Sequence, residues 1–354
     1  MSDADVVIVG AGIIGCLVAR KLNSVSPGLS VMVIDRDAAG NGASRRSAGL
    51  HFPRGGTARV REMAAESQDY YTRLRADDPT LPIHPLAMSV LIADSDDGSL
   101  RRRYLDRAKL RRVDGVPGDL VTPPENTTVW AGDGCHYADV AALTAALARE
   151  LRPAVRFREG IEVTAIEPAA TEVLLRLRTG ESVSTGAVVL APGPWLHSPA
   201  WRELTRPLRS RVKKVVALHV DHRVTRDDGA VVFEDEDAFL LPLVHRDHWL
   251  FSYTCQEWDV EPDALTSGLS RANLAEAHDC LGAYSPVLAD LATAGRVFCD
   301  AYSPSREPIV RLLGDSGRVV FAGAANGSGY RLAPAIATEV AQLLPSQPGQ
   351  RICA

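Results

Sequence analysis

The chain has 354 residues, 46% of them hydrophobic, and a formal charge of −5. That length supports two sizeable cores, and the mildly acidic balance argues against a nucleic-acid or membrane-binding surface. Six scattered cysteines (Cys16, Cys135, Cys255, Cys280, Cys299, Cys353) form no CxxC pair. This speaks against metal and disulfide frameworks and fits a reducing cytoplasm.

Val6–Val9 reads as a short apolar strand that runs into Gly10-Ala11-Gly12-Ile13-Ile14-Gly15. A helical stretch, Cys16–Leu22, comes next, then a second apolar strand, Val31–Ile34, ending on Asp35. Strand, glycine turn, helix, strand and acid in this order form the fingerprint of a unit that binds an ADP-containing dinucleotide. Gly10 permits the tight turn, Gly12 leaves room for a pyrophosphate, and Gly15 lets the helix pack on the sheet. The helix start presents free N–H groups to the phosphates. Asp35 is placed to accept hydrogen bonds from a ribose 2′-OH and would repel a 2′-phosphate, which disfavours NADP. Aspartates precede the first strand where a secretory signal would carry positive charge, and no apolar run is long enough to span a bilayer.

A small-residue loop follows, from Gly40 to Gly49. The spacing predicts a helix over Ala58–Leu74, a break at Pro79, Pro82 and Pro85, a strand over Met88–Ala93 and a helix over Ser99–Arg112. The arginines of that last segment read as a solvated face. Trp130–Tyr137 is expected to turn through Gly132 and Gly134, and Asp139 to cap a helix over Val140–Leu151. Strands are expected at Val155–Arg158, Ile161–Ile166 and Val173–Arg178. Ala187–Ala191, nearly all apolar, reads as a strand of a parallel sheet that ends in Pro192-Gly193-Pro194-Trp195. The run Arg209–Lys214 is expected to alternate out to solvent. From Val212 to Tyr253, short strands separated by polar turns read as an antiparallel sheet.

Helices are expected at Ser270–Leu281 and Pro286–Ala292, and strands at Val297–Tyr302 and Val319–Ala322. A second glycine loop, Gly323–Tyr330, leads into a helix over Ala333–Leu344 with Pro334 in its first turn. Nucleotide-binding architecture therefore opens the chain and closes it. The expected fold is α/β: a Rossmann-like FAD-binding domain with a parallel sheet, plus an inserted antiparallel-sheet α+β substrate domain. The expected divisions are 1–80, 135–205 and 295–354 for the first, with 81–134 and 206–294 for the second.

Four segments carry a likeness to a known family. They are Val6–Gly15 with Asp35-Arg36; Gly42–Gly49; Val188–Trp195; and Phe321-Ala322-Gly323 with Gly327–Pro334. In this order the chain resembles the FAD-dependent oxidoreductases of the D-amino-acid oxidase type, which include glycine oxidase, sarcosine oxidase and the D-amino-acid dehydrogenases. The resemblance implies that Gly10, Gly12, Ile13, Ile14, Gly15, Asp35 and Arg36 hold the ADP half of FAD. It implies that Ala43, Ser44, Arg45, Ser47, Ala48 and Gly49 follow the pyrophosphate and ring. It also sends Gly193 and Trp195 past the cofactor, and Gly327, Ser328, Gly329, Tyr330 and Leu332 toward the isoalloxazine. Val163 would make a backbone contact to the adenine or serve as a plain core valine.

Some signals of that group are missing. No arginine stands beside the proline of the late strand, where a substrate carboxylate is usually clamped; Arg306 comes a few residues later. The strand at His248–Tyr253 has no lysine. Cys299-Asp300-Ala301-Tyr302 is one residue out of step with the Cys-x-Tyr pattern of covalent flavin attachment, so the FAD is expected to be non-covalent.

The resemblance implies oxidation of a C–N bond in a small amine or amino acid by hydride transfer to flavin N5, with O2 or another electron acceptor. An alternative keeps fold and cofactor but takes a hydroxy acid or another non-amino-acid intermediate of specialised metabolism. A third is a flavin- or NAD-binding subunit without turnover. For substrate contact the candidates are His51, Tyr302 and Arg306, with Arg46 in reserve. Each also has a structural reading: a satisfied histidine, a core aromatic, a surface ion pair. No nucleic-acid partner, metal or membrane span is expected.

Overall fold

Runs of Val, Ile and Leu that are buried on both faces define the first sheet, and their order in space is not their order in sequence. The structure is a computed structural model and describes residues 2–265 and 268–344; Cys353 lies outside the described residues. The chain opens with β1 (Ala4–Val9), α1 (Ile13–Val25) and β2 (Val31–Ile34). The small-residue loop holds one short helical turn, α2 (Ala43–Arg46), before β3 (Leu50–His51). Then come α3 (Ala58–Asp77), β4 (Ile83–Ala93), α4 (Asp97–Arg103), β5 (Arg111–Val113), β6 (Thr127–Ala138) and α5 (Val140–Leu151). The middle supplies β7 (Arg156–Arg158), β8 (Val163–Pro168), β9 (Val173–Leu177), β10 (Ser182–Leu190) and the short α6 (Arg202–Thr205). Four strands follow: β11 (Arg211–Val220), β12 (Ala230–Phe233), β13 (Ala238–Leu243) and β14 (His248–Tyr253). The remainder is α7 (Arg271–Gly282), α8 (Pro286–Asp290), β15 (Ala294–Tyr302), β16 (Ile309–Leu313), β17 (Val319–Gly323) and α9 (Gly329–Leu343).

Two units emerge. The first joins the residues up to Ser47, Val140–Arg211 and those from Ala301 onward. Its sheet runs β16-β17-β10-β1-β2-β7, with β17, β10, β1, β2 and β7 parallel and β16 antiparallel at the edge. β1 comes from the start of the chain, β10 from its middle and β17 from near its end, as the glycine loops imply. Val7, Ile8, Val188, Val189, Val319 and Val320 are fully buried. Each such side chain contributes roughly 1.5–3 kcal/mol by leaving water. Helix α1 packs against both α9 and α5.

The second unit joins Ala48–Asp139 and Val212–Asp300. Its sheet runs β15-β11-β14-β13-β12-β4-β6-β3, with β5 on β6. It is antiparallel at most of its pairings, as expected, but β12 and β4 run parallel. One face packs under α7 and α8 around Val216, Leu218, Phe233 and Phe251. The other face gathers Leu50, Val90, Trp130, Val215, Leu250 and Phe298, with Leu100, Tyr104 and Ala108 from the α4 region.

Several sequence expectations are corrected here. The helix expected over Ser99–Arg112 ends at Arg103. Tyr104 is extended and Lys109 left-handed (φ 46°), which frees Arg111–Val113 to pair with β6. Trp130–Tyr137 does not turn. Gly132 lies inside β6, where a Cβ would come 2.5 Å from Met88 and 2.9 Å from Leu110, so the glycine makes room for side chains rather than a bend. Pro334 lies inside α9 and not in its first turn, because the helix already starts at Gly329. Lys213 and Lys214 are buried, Lys213 over the Trp258 ring at 4.8 Å and Lys214 paired with Glu257 at 3.0 Å. The first division falls after Ser47 instead of residue 80, since α3 packs within the second unit: Tyr71 stacks edge-on to His136, and Asp69 pairs with Arg107 at 2.6 Å.

Glu234 is the charged centre of that unit. Its carboxylate accepts from Arg54 at 2.6 Å and 2.9 Å, from Arg103 at 3.1 Å and from the Tyr104 hydroxyl at 3.4 Å. With 1% of the Glu234 side chain exposed, removing it takes a buried carboxylate away from Arg54 and leaves Arg103 with Asp96 at 2.7 Å. Glu234→Leu is expected to destabilise the fold by about 3 kcal/mol, and Glu234→Gln by less. Chemical denaturation midpoints of the two variants check the order.

Candidate functional site

In the first unit the connections leaving β1, β2, β10 and β17 share one edge, because these four strands are adjacent and parallel. The chain passes from β1 to β2 on one side, while β10 and β17 lie on the other. A switch point therefore falls between β1 and β10, where doubly wound sheets take their ligands.

Backbone packs on backbone there. Gly10 is left-handed (φ 109°), and a Cβ on it would stand 2.2 Å from the Ala191 carbonyl oxygen. A Cβ on Gly15 would stand 1.9 Å from the Gly10 carbonyl oxygen. α1 begins at Gly12 with no side-chain cap from that residue, and the Ile13 N–H donates to Ser44 Oγ at 3.0 Å. The Asp35 carboxylate accepts from the Ala11 N–H at 2.6 Å and the Asp37 N–H at 2.8 Å. Burial raises its pKa, and the two N–H donors oppose the rise. The Arg36 guanidinium lies 4.4 Å over the Trp195 ring, and Gly42 sits against the same ring.

Asp35 also donates its N–H to Arg158 and accepts at its carbonyl from Ile161, which anchors the approach to Val163 at the start of β8. The late glycine loop follows β17 with Ala324, Asn326 and Gly327 all left-handed. Asn326 holds it, donating its side-chain amide to Ala324 O and accepting from the Ser303 N–H at 3.0 Å. Asn326 escaped the sequence reading, although an asparagine between alanine and glycine favours this backbone. Tyr302 pairs with Ala325 across a β-bridge, and Arg331 donates to Ser328 Oγ at 2.7 Å. Tyr330 and Leu332 are buried in α9. A helix start rich in N–H donors, an acid at the end of β2 and close-packed glycine backbone together fit a dinucleotide.

The other expected site residues are placed differently. Arg45 and Arg46 are exposed, with Arg45 donating to Asn41 at 2.9 Å. Ser47 ends α2, and Ala48 and Gly49 begin the second unit. Gly193 is left-handed (φ 58°) in the turn after β10. His51 is fully buried in the second unit, stacked on His136 at 4.5 Å with Tyr71 edge-on to both rings. Arg306 is exposed and left-handed (φ 59°) in the turn between β15 and β16.

Gly12→Val puts branched carbon where the phosphates approach, while its Cβ at 3.3 Å from Ser44 Oγ meets only a hydroxyl. The variant is expected to lose FAD yet keep its secondary structure, checked by flavin absorbance and circular dichroism. Burial and nearby Arg75 lower the His136 pKa to about 3 from 6.5. Between those values the unfolded imidazole binds a proton that the native one refuses, so stability falls as pH drops below about 6.5. From pH 7 to pH 5 the native protein should lose about 2 kcal/mol more than His136→Phe, measured by denaturation at both pH values.

The family model described as FAD dependent oxidoreductase, DAO, matches residues 5–343. No curated protein matches the sequence. Among solved structures, glycine oxidase from Geobacillus kaustophilus superposes with a TM-score of 0.80 at 17% identity, covering 97% of this chain and 95% of the other. L-amino acid deaminase from Proteus vulgaris with its specific insertion sequence deleted gives 0.77 at 19% identity, covering 97% and 90%. L-alpha-glycerophosphate oxidase from Mycoplasma pneumoniae gives 0.77 at 17%, covering 97% and 95%. These likenesses establish the fold. Among the described residues, no helix is long and apolar enough to cross a membrane.

Proposed function

The chain belongs to the DAO family of FAD-dependent oxidoreductases, and we propose that it oxidises a C–N bond of a small amine or amino acid. The first unit holds the cofactor and also carries Tyr302 and Arg306, two of the candidate substrate contacts. The observation that carries the cofactor half is the gathering of four strand ends, two glycine loops and Asp35 on one sheet edge. Bound FAD supplies a two-electron acceptor for a substrate hydride. The α1 start receives the diphosphate, with Ser44 beside it; Asp35 accepts from ribose hydroxyls. Gly327, Ser328 and Gly329 bring backbone to the ring. Cys299 is buried and out of register for a covalent link, so acid precipitation is expected to release all the flavin.

The substrate half draws on the proteins this fold resembles, named as glycine oxidase, L-proline dehydrogenase and L-amino acid deaminase. Of the three contact candidates, Tyr302 has the favoured position, through its bridge to the late glycine loop. Arg306 in an exposed turn is a weak carboxylate clamp, and this placement favours a second reading in which the substrate has no carboxylate. The glycerophosphate oxidase shows that this fold also serves a substrate that is not an amino acid.

Anaerobic mixing with amines, D- and L-amino acids and hydroxy acids, followed by flavin bleaching, tests the proposal. Bleaching by a hydroxy acid alone would move the reading to the second class, and no bleaching by any of them would leave a flavoprotein without turnover. Tyr302→Phe is expected to lower kcat/KM about tenfold by losing one hydrogen bond, with FAD content unchanged. Arg306→Leu is expected to change it less than about threefold.

A further inference from the structure

Asp300 carries a carboxylate that nothing satisfies among the described residues. It makes no hydrogen bond and no ion pair there. The residue is half-buried, and burial alone pushes its pKa up to about 6, with no neighbouring charge contributing. It is therefore mostly ionised at neutral pH. An uncompensated, desolvated anion is costly, and such groups cluster where a ligand supplies the missing charge.

Two observations place it. Along β15, Val297 belongs to the core under α7 and α8, whereas Phe298 belongs to the opposite face. Strand alternation puts Asp300 on the Phe298 face. That is the face on which Ala48, Leu50 and Phe52 pack, where the small-residue loop ends. The next residue in the chain, Ala301, accepts from the Asn326 N–H at 3.1 Å, and Tyr302 bridges to Ala325. Asp300 is thus the chain neighbour of the residue that receives the Asn326 N–H of the late glycine loop. Cations on the same sheet face are engaged elsewhere: Lys213 over Trp258, and Arg296 with His219 Nε2 at 2.7 Å.

We propose that Asp300 is the counter-ion that binds the substrate amine in its protonated form, the ammonium losing one proton to water before the adjacent C–H bond is oxidised, so that the substrate is recognised through its cation and not through a carboxylate. This rests on the C–N reading above. The ammonium brings both the positive charge and the N–H donors that the carboxylate lacks. It also accounts for an enzyme of this family without an arginine beside the late-strand proline.

The test is a calorimetric titration of the FAD-loaded enzyme with tert-butylammonium chloride, a cation with no α-hydrogen to lose. Saturable binding is expected in the wild type, weakened tenfold or more in Asp300→Asn and partly retained in Asp300→Glu. The thermal midpoint of Asp300→Asn is expected to rise above wild type at pH 8 and not at pH 5. The ionised carboxylate is the costly form, and it is mostly protonated at the lower pH. Equal affinity in wild type and Asp300→Asn, or no binding by the wild type, would overturn the assignment. So would a lowered midpoint in Asp300→Asn, which would mark a structural carboxylate. Wild type that binds this cation but is bleached by no oxidisable amine would sink the C–N reading and leave the cation site standing.

Discussion

The first unit depends on one constraint: three stretches of main chain must touch without side chains between them. Gly10 meets Ala191 across neighbouring strands, and Gly15 meets Gly10 across the turn into α1. Neither contact admits a Cβ. Because they close, α1 sits directly on the sheet, its first N–H groups emerge at the strand ends, and Asp35 can reach back to the Ala11 N–H. α9 then packs on α1 and brings the late glycine loop to the same edge. Apolar burial supplies the stability, but these backbone contacts decide where the helix start lies.

The second unit handles buried polar groups in two ways. Glu234 is surrounded by two guanidinium groups and a phenol, and His51 and His136 are stacked face to face in a core that keeps His136 neutral. Such groups lock neighbouring segments once every partner is present. Asp300 differs from these, a half-buried carboxylate with no hydrogen bond or ion pair among the described residues. One unit thus contains both a saturated ion cluster and an unsaturated carboxylate.

Much of this was legible from residue order. The strands of the parallel sheet stand out because burial on both faces forces unbroken apolar runs, and Gly10–Gly15 with Asp35 has few other uses. Other features were hidden because they depend on partners far along the chain. Ser99–Arg112 has helical spacing, yet pairing with the edge of β6 claims Arg111–Val113. Gly132 looks like a turn residue until Met88 and Leu110 are seen to fill its space. Lys213 reads as solvated until Trp258 covers it. His51 reads as near the ring because it follows the flavin loop, whereas its surroundings are Tyr71 and His136. Asp300 carried no signal at all, since an absent partner cannot be read from neighbours in sequence.

The strand order of the first sheet also bears on synthesis. β1 cannot complete its pairing until β10 has left the ribosome, and the edge that gathers the glycine loops is unfinished until β17 follows. Contacts so distant along the chain carry a large loop-closure cost and slow folding. The nascent amino-terminal β1–α1–β2 segment therefore presents an open, apolar strand edge for most of translation, a species prone to aggregation and to chaperone capture. Loading of the dinucleotide consequently waits for β17, and a ligand that binds only the finished fold adds to its stability.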